Sequence, residues 1–191
     1  MARGMNSKQL LEAVSNDLIL REQFVGVFAS DQLDKVKIQF PCALIANTDP
    51  ISKPGTHWVA FFFDPDGNVE YFDSYGLPPQ NSDLENFFRK HGVKRHSHNS
   101  EILQSILSTV CGHWCLAFLG NRVRGQSMSV FVNRFKNCPS TSNDVFVKKH
   151  VSDVYKIKSS AAVLKKKPAN RIKTVAGAGT KAQYQYCCCR Q

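Results

Sequence analysis

Residues 57–73 read His57-Trp58-Val59-Ala60-Phe61-Phe62-Phe63-Asp64-Pro65-Asp66-Gly67-Asn68-Val69-Glu70-Tyr71-Phe72-Asp73. Trp58–Phe63 is an unbroken apolar run of strand length, and Val69–Asp73 is a second strand-like run. The Asp64-Pro65-Asp66-Gly67 linker carries the residues that a tight turn needs. An antiparallel hairpin is the expected result. Folding back about that turn lays Asp73 across from the His57 end, so the hairpin alone brings a carboxylate beside an imidazole.

Upstream, Ser7 is placed to cap a helix whose apolar positions Leu10, Leu11, Val14 and Leu18 recur at helical spacing. Phe24–Phe28 reads as a short strand or turn and Asp31–Lys37 as a polar loop. Pro41–Asn47 reads as a buried strand, and Asp49–Gly55, with two prolines and a glycine, as a loop. Downstream, Gly76–Pro79 breaks the chain, and Asp83–His91 reads as a helix with Leu84, Phe87 and Phe88 on one face. Val93–Ser100 reads as a solvated, histidine-rich loop and Glu101–Leu107 as a short strand-like segment. Cys111–Leu119 follows as an apolar, buried helix, with Ser129–Lys136 and Asp144–Tyr155 as further helices. Short strands interleaved with helices predict an α+β domain over residues 1–155, a small mixed β-sheet packed between helices. From about Lys156 onward Ala, Gly, Lys and Gln dominate without an apolar period, so residues 156–191 are expected to form a disordered basic tail.

The chain has 191 residues and 42% hydrophobic content, enough for one domain with its own core. Its longest apolar runs, such as Trp58–Phe63, fall far short of the roughly 20 residues a membrane-spanning helix needs. Met1–Lys8 is polar with no apolar segment behind it, unlike a secretory signal. A soluble intracellular protein is expected. The seven cysteines, Cys42, Cys111, Cys115, Cys138 and Cys187–Cys189, are odd in number and irregularly spaced. They fit free thiols in a reducing compartment better than a disulfide framework. Residues 1–147 carry 14 Lys/Arg and 14 Asp/Glu, whereas residues 148–191 carry 11 basic residues and one acid, so the C-terminal stretch holds the whole net charge of +10. A neutral body with a basic extension suits a polyanion, with Lys148, Lys149, Lys165, Lys166, Lys167, Arg171 and Lys173 as candidate nucleic-acid contacts. The plainer alternative is a solvated solubility tail.

Four residue types in this order suggest chemistry. His57, at a strand edge, has the near-neutral pKa of a general base, although a lone histidine so placed is more often a structural hydrogen-bonding group. Asp73 can hold one imidazole tautomer and stabilise the imidazolium, or simply cap the turn at Ser74-Tyr75-Gly76. Cys111 opens a helix, where the dipole and unpaired amides favour a thiolate; the alternative is an inert core cysteine, the reading given to Cys115 one turn later. Gly112 would let a substrate backbone approach closely. Gln104, seven residues before Cys111, can donate to a developing oxyanion beside the Cys111 backbone N–H, or be an exposed polar residue. Neither Cys111/His113/Cys115 nor His91/His96/His98 shows the paired ligand sets of a structural zinc site, and no metal is expected. Cys187–Cys189 has no prenylation ending and is assigned no role.

Together, His-Trp before an apolar strand, a strand-end acid, and Gln-x6-Cys-Gly opening an apolar helix resemble the adenovirus endopeptidase family of cysteine proteases. The wider clan of ubiquitin-like-protein proteases shares that order. Phe24-Val25-Gly26-Val27-Phe28 and Pro41-Cys42-Ala43-Leu44-Ile45-Ala46-Asn47-Thr48 extend the likeness over roughly residues 7–135. The resemblance implies a cysteine endopeptidase with Cys111 as nucleophile, His57 as base and acid, Asp73 as orienting carboxylate and Gln104 as oxyanion donor. Trp58 would sit beside the histidine, with Gly112 as substrate support. It further implies cleavage at small, Gly-containing sites in viral or virus-like precursor proteins. DNA would be an activator, with no cofactor needed for the chemistry. A monomer acting on protein substrates in the host nucleus or virion, with no membrane partner, completes that picture. Two departures stand out. Asp73 occupies a position where mammalian adenovirus enzymes carry Glu, and residues 74–110 contain no cysteine. A disulfide-linked activating peptide, known in that family, is therefore not expected. The alternatives are a protease that deconjugates ubiquitin-like modifiers and a non-enzymatic nucleic-acid-binding protein.

Overall fold

A computed structural model describes residues 4–80 and 82–157. Five strands, β1 (Phe24–Phe28), β2 (Cys42–Asn47), β3 (Trp58–Phe63), β4 (Asn68–Phe72) and β5 (Arg95–His98), form one sheet in sequence order. The three central strands are antiparallel, while β1 and β5 run parallel to their neighbours, so the sheet is mixed. The hairpin forms as expected, with Ala60 opposite Phe72 and Phe63 opposite Val69. Its turn is pegged by Asp64, whose carboxylate accepts from the Asp66 and Asn68 amides and the Asn68 side chain. Strand β3 is apolar without alternation because both of its faces are covered. Val59, Phe61 and Phe63 enter one core, Ala60 and Phe62 the other.

Among the described residues, six α-helices cover the sheet: α1 (Ser7–Ser15), α2 (Leu18–Gln23), α3 (Ser82–Lys90), α4 (Cys111–Arg122), α5 (Met128–Asn133) and α6 (Ser140–Val154). Helix α4 is buried from Cys111 through Gly120, between β3 on one side and α6 on the other. A helix apolar all round needs such a position. Phe72 stacks on Phe118 with centroids 4.6 Å apart and meets Phe131 edge-on, fixing α4 and α5 to the hairpin. Each fully buried Phe contributes roughly 1.5–3 kcal/mol. On the opposite face, Leu84, Phe87 and Phe88 of α3 cover Phe61, Phe63 and Tyr71. The α+β class with a mixed sheet between helices is the observed architecture.

Several local readings are corrected. Asn6, not Ser7, caps α1, through a reciprocal pair in which Asn6 Oδ1 accepts from the Gln9 amide and Gln9 Oε1 from the Asn6 amide. Asp17 then caps α2, so Leu18 opens a new helix and lies exposed, as does Leu11. Residues read as a polar loop after β1 form a 3₁₀ turn, Ser30–Lys35, with Leu33 buried. The histidine-rich loop contains β5: all four side chains are exposed, and only its backbone reports the pairing with β4. Glu101–Leu107 is not a strand, because the Leu103 and Gln104 amides both donate to the Ser74 carbonyl rather than to a strand partner. Helix α6 begins at Ser140, four residues before the sequence suggests. The expected disorder beyond Lys156, the candidate contacts Lys165, Lys166, Lys167, Arg171 and Lys173, and Cys187–Cys189 fall on or extend into residues 158–191, outside the described residues. Among the described residues, no helix is long and apolar enough to cross a membrane.

Candidate active site

One step beyond Ala60–Phe72, the hairpin register sets Val59 opposite Asp73, with His57 two residues further along the same edge. His57 Nε2 lies 2.8 Å from Asp73 Oδ1, and Asp73 is 2% exposed. Burial disfavours the imidazolium. The hydrogen bond to Asp73, the interaction with the Cys111 side chain and the charges of both outweigh that cost and raise the His57 pKa to about 9. With Nε2 committed to Asp73, Nδ1 is the nitrogen left for the thiol. Asp73 is itself held by its backbone: its amide donates to Asn99 Oδ1 at 3.0 Å, and Asn99 Nδ2 donates to its carbonyl at 2.6 Å.

Cys111 is the first residue of α4, where a backbone amide has no partner within the helix. The other buried thiols differ in setting. Burial pushes Cys42 up to about 12 and Cys115 well above its ordinary value, which leaves both as inert core residues. Gln104 is buried; its Oε1 accepts from Ser74 Oγ at 2.7 Å. Its Nε2 donates to Tyr75 Oη at 3.1 Å and to the Ser108 carbonyl at 3.2 Å. A carbonyl can only accept, so Ser108 fixes which end of the amide is nitrogen. The turn that follows Asp73 makes this junction possible. Gly76 has φ +70°, and a Cβ there would lie 2.7 Å from the Ser100 carbonyl carbon, so only glycine lets residues 73–76 seat against residues 99–104.

The structure thus brings His57, Asp73 and Cys111 together, and it ties Gln104 to Asp73 through Ser74 and Tyr75. Two supporting residues take other places. The missing side chain of Gly112 faces Leu10, Met5 and Trp58 at 3.2–3.4 Å, so it makes room for packing of α1 and not for a substrate backbone. Trp58 stands next to His57 in the chain, but its indole N–H donates to the Met5 carbonyl at 2.8 Å and anchors the N-terminal segment. Lys149 pairs with Asp153 at 2.6 Å on α6, while the charge of Lys148 reaches His113. His113 is buried, its Nδ1 has no hydrogen-bond partner among the described residues, and desolvation, then Lys148, lowers its pKa to about 4.

Sequence reasoning missed three residues. Tyr75 stacks on His57, with centroids 4.8 Å apart, and donates its amide to Asp73 Oδ1 at 2.7 Å. Asn99 clamps Asp73. Asp144 of α6 accepts from the Ser105 amide and from Trp114 Nε1, both at 3.0 Å, joining the Gln104 segment to α4. The place of Tyr75 in a glycine turn directly after the acid was a readable signal. Asn99 and Asp144 offered none, because their partners lie 26 to 39 residues away. A cavity of about 580 Å³ opens beside His57 and Asp73, with Val59, Tyr71, Leu77 and Leu84 as its apolar walls and Asn47 and Thr48 as polar ones.

No family model matches the chain. It is similar to the protease of Fowl adenovirus A serotype 1, 26% identical over 155 residues, covering 74% of this chain and 70% of that protein. It is also similar to the protease of Frog adenovirus 1, 28% identical over 129 residues, covering 58% of this chain and 61% of that protein. Among solved structures, the ASFV pS273R protease shares the fold with a TM-score of 0.56 at 17% identity, covering 76% of this chain and 66% of that one. The resemblance to adenovirus endopeptidases read from the motifs is borne out by these relatives.

Proposed function

We propose that the chain is a cysteine endopeptidase with a Cys111–His57–Asp73 triad. The observation that carries this reading is the buried His57 Nε2–Asp73 Oδ1 pair at 2.8 Å, with the Cys111 side chain near enough to help raise the His57 pKa. His57 takes the thiol proton, and the Cys111 sulfur attacks the scissile carbonyl carbon. The Cys111 backbone N–H and the Gln104 side-chain amide donate to the resulting oxyanion. The imidazolium then gives its proton to the leaving amine. Water hydrolyses the thioester, with His57 again acting as base.

Similarity to the adenovirus proteases supports viral or virus-like precursor proteins as substrates, cut at small, Gly-containing sites within a virion or host nucleus. The catalytic unit is residues 1–155. The basic stretch 156–191, with Lys148 and Lys149, binds DNA as an activator, an assignment supported by its 11-to-1 excess of basic over acidic residues from Lys148 onward.

The test compares wild type with Cys111→Ala on Gly-Gly peptides and on ubiquitin-like-modifier conjugates, with and without DNA. The reading predicts Cys111-dependent peptide cleavage. Cleavage confined to conjugates would reassign the chain as a deconjugase, and no Cys111-dependent cleavage of any substrate would refute the protease reading. Salt-sensitive DNA binding should vanish when residues 156–191 are deleted; its persistence would overturn the role given to the tail.

A further inference from the structure

Three chain segments meet one residue away from His57 and Cys111. Trp58 follows His57, Gly112 follows Cys111, and Met5, on the segment that leads into α1, touches both. The Trp58 indole N–H donates to the Met5 carbonyl at 2.8 Å. A Cβ on Gly112 would stand 3.2 Å from Met5 Cβ, 3.2 Å from Leu10 Cδ2 and 3.4 Å from Trp58 Cδ1, so a side chain there would push all three back from the first turn of α4. One residue before Met5, a Cβ on Gly4 would lie 3.0 Å from the Thr109 carbonyl oxygen, which sets the same segment against the chain that delivers Cys111.

The segment is itself anchored. Asn6 and Gln9 lock its entry into α1 through their reciprocal bonds at 3.0 Å, and Met5 and Leu10 are buried. The start of α4 needs such an outside hold. Val110 is its N-cap and supplies no side-chain cap, so the turn bearing Cys111 is positioned by what packs on it. Asp144 secures the approach at Ser105 from α6, and Gly4 and Met5 close on Thr109 and Gly112.

Resting on the reading of Cys111 as nucleophile and His57 as its base, we propose that Met5 is a positioning residue: anchored by Trp58, the N-terminal segment is a strap that sets the distance between Cys111 and His57. Its backbone holds the strand that carries the base, and its side chain holds the helix that carries the nucleophile. The effect is exerted through spacing, and a misplacement of about 1 Å costs on the order of 10²-fold in rate.

Met5→Ala withdraws the side chain from Gly112, Met5→Leu keeps its bulk, and Trp58→Phe keeps an aromatic ring but removes the indole N–H. The readouts are steady-state cleavage of a Gly-Gly peptide, thermal melting, and iodoacetamide alkylation of Cys111 at about pH 6 and about pH 9, mapped by mass spectrometry. Met5→Ala and Trp58→Phe should each lower kcat roughly tenfold or more with KM within about threefold of wild type, while Met5→Leu stays within about threefold throughout. The double variant Met5→Ala/Trp58→Phe should fall only about threefold below the lower single, because both act through one contact. A nearby imidazolium keeps a thiolate reactive in acid, so the ratio of alkylation at the lower pH to that at the higher should drop at least about threefold in both single variants. A merely structural role would lower melting and leave that ratio unchanged.

A Trp58→Phe kcat within about threefold of wild type would overturn the proposal. So would a loss carried by KM alone, which would set the segment against substrate, or an unchanged alkylation ratio. Should Met5→Ala fail to fold, Trp58→Phe decides the matter by itself. Absence of Cys111-dependent cleavage in wild type is a different result and would overturn the protease reading, while the alkylation ratio would still test the strap.

Discussion

The two halves of the candidate site are positioned by different physics. His57 and Asp73 arrive on adjacent strands, and backbone register with an apolar core on both faces decides where they stand. Gln104 and Cys111 arrive on a loop and a helix start, held by a few buried polar bonds from Ser74, Tyr75, Ser108 and Asp144. A register resists single side-chain changes, because slipping it would turn every side chain to the wrong face. A polar network does not, since removing one partner leaves another buried and unsatisfied. The strand half should therefore keep its geometry while losing its chemistry, and the loop half should lose geometry first.

Asp73→Asn tests the strand half and carries the largest expected effect. Without the carboxylate, kcat should fall on the order of 10³-fold while the hairpin stays folded. Wild-type activity should decline above about pH 9 as His57 loses its proton, and in the variant that alkaline limb should move down toward 6.5. The sign for stability follows: a raised His57 pKa stabilises the fold fully below pH 6.5, and that contribution disappears as pH rises through about 9. The melting difference between wild type and Asp73→Asn should thus be larger at pH 6 than at pH 10.

Gly76→Val attacks the seam between the halves. A β-branched residue at φ +70°, with its Cβ against Ser100, should cost about 4 kcal/mol in chemical denaturation. Stability close to wild type would mean that the seam is not tight. Asp144→Ala, which frees the Ser105 amide and Trp114 Nε1, should cost about 2–4 kcal/mol. Hydrogen exchange should then quicken in residues 101–110 and stay slow in β3 and β4. Equal quickening in both would erase the distinction between the halves.

The smallest effect concerns His113, two residues beyond Cys111. Because its folded pKa is lowered to about 4, the fold loses stability as pH falls from 6.5 toward 4. His113→Leu should flatten that decline, gaining on the order of 1–2 kcal/mol over wild type at pH 5 relative to pH 7. The two histidines thus tilt the stability curve from opposite sides.

The same division explains what could be read beforehand. The hairpin, the face of α3 and the buried α4 follow from short-range pattern: Asp64-Pro65-Asp66-Gly67, Leu84/Phe87/Phe88 and the run from Cys111. The juxtaposition of His57 and Asp73 needed only the turn. β5 was hidden because its four side chains are polar and exposed, and Ser7 was mistaken for the cap that Asn6 provides. Gly112 was read as an opening toward substrate, but its free side belongs to Met5, Leu10 and Trp58. The engagements of Gln104, Asn99 and Asp144 rest on contacts across as many as 39 residues, which no local pattern encodes.

The central claim is that Cys111 alone among the thiols is activated, through His57 held by Asp73. A Gly-Gly peptide carrying a thiol-reactive vinyl sulfone, followed by mass-spectrometric mapping of all seven cysteines, tests it most directly. The account predicts one adduct, at Cys111, that is lost in His57→Ala while the protein still melts cooperatively. Adducts spread over several cysteines, or a Cys111 adduct undiminished in His57→Ala, would contradict it.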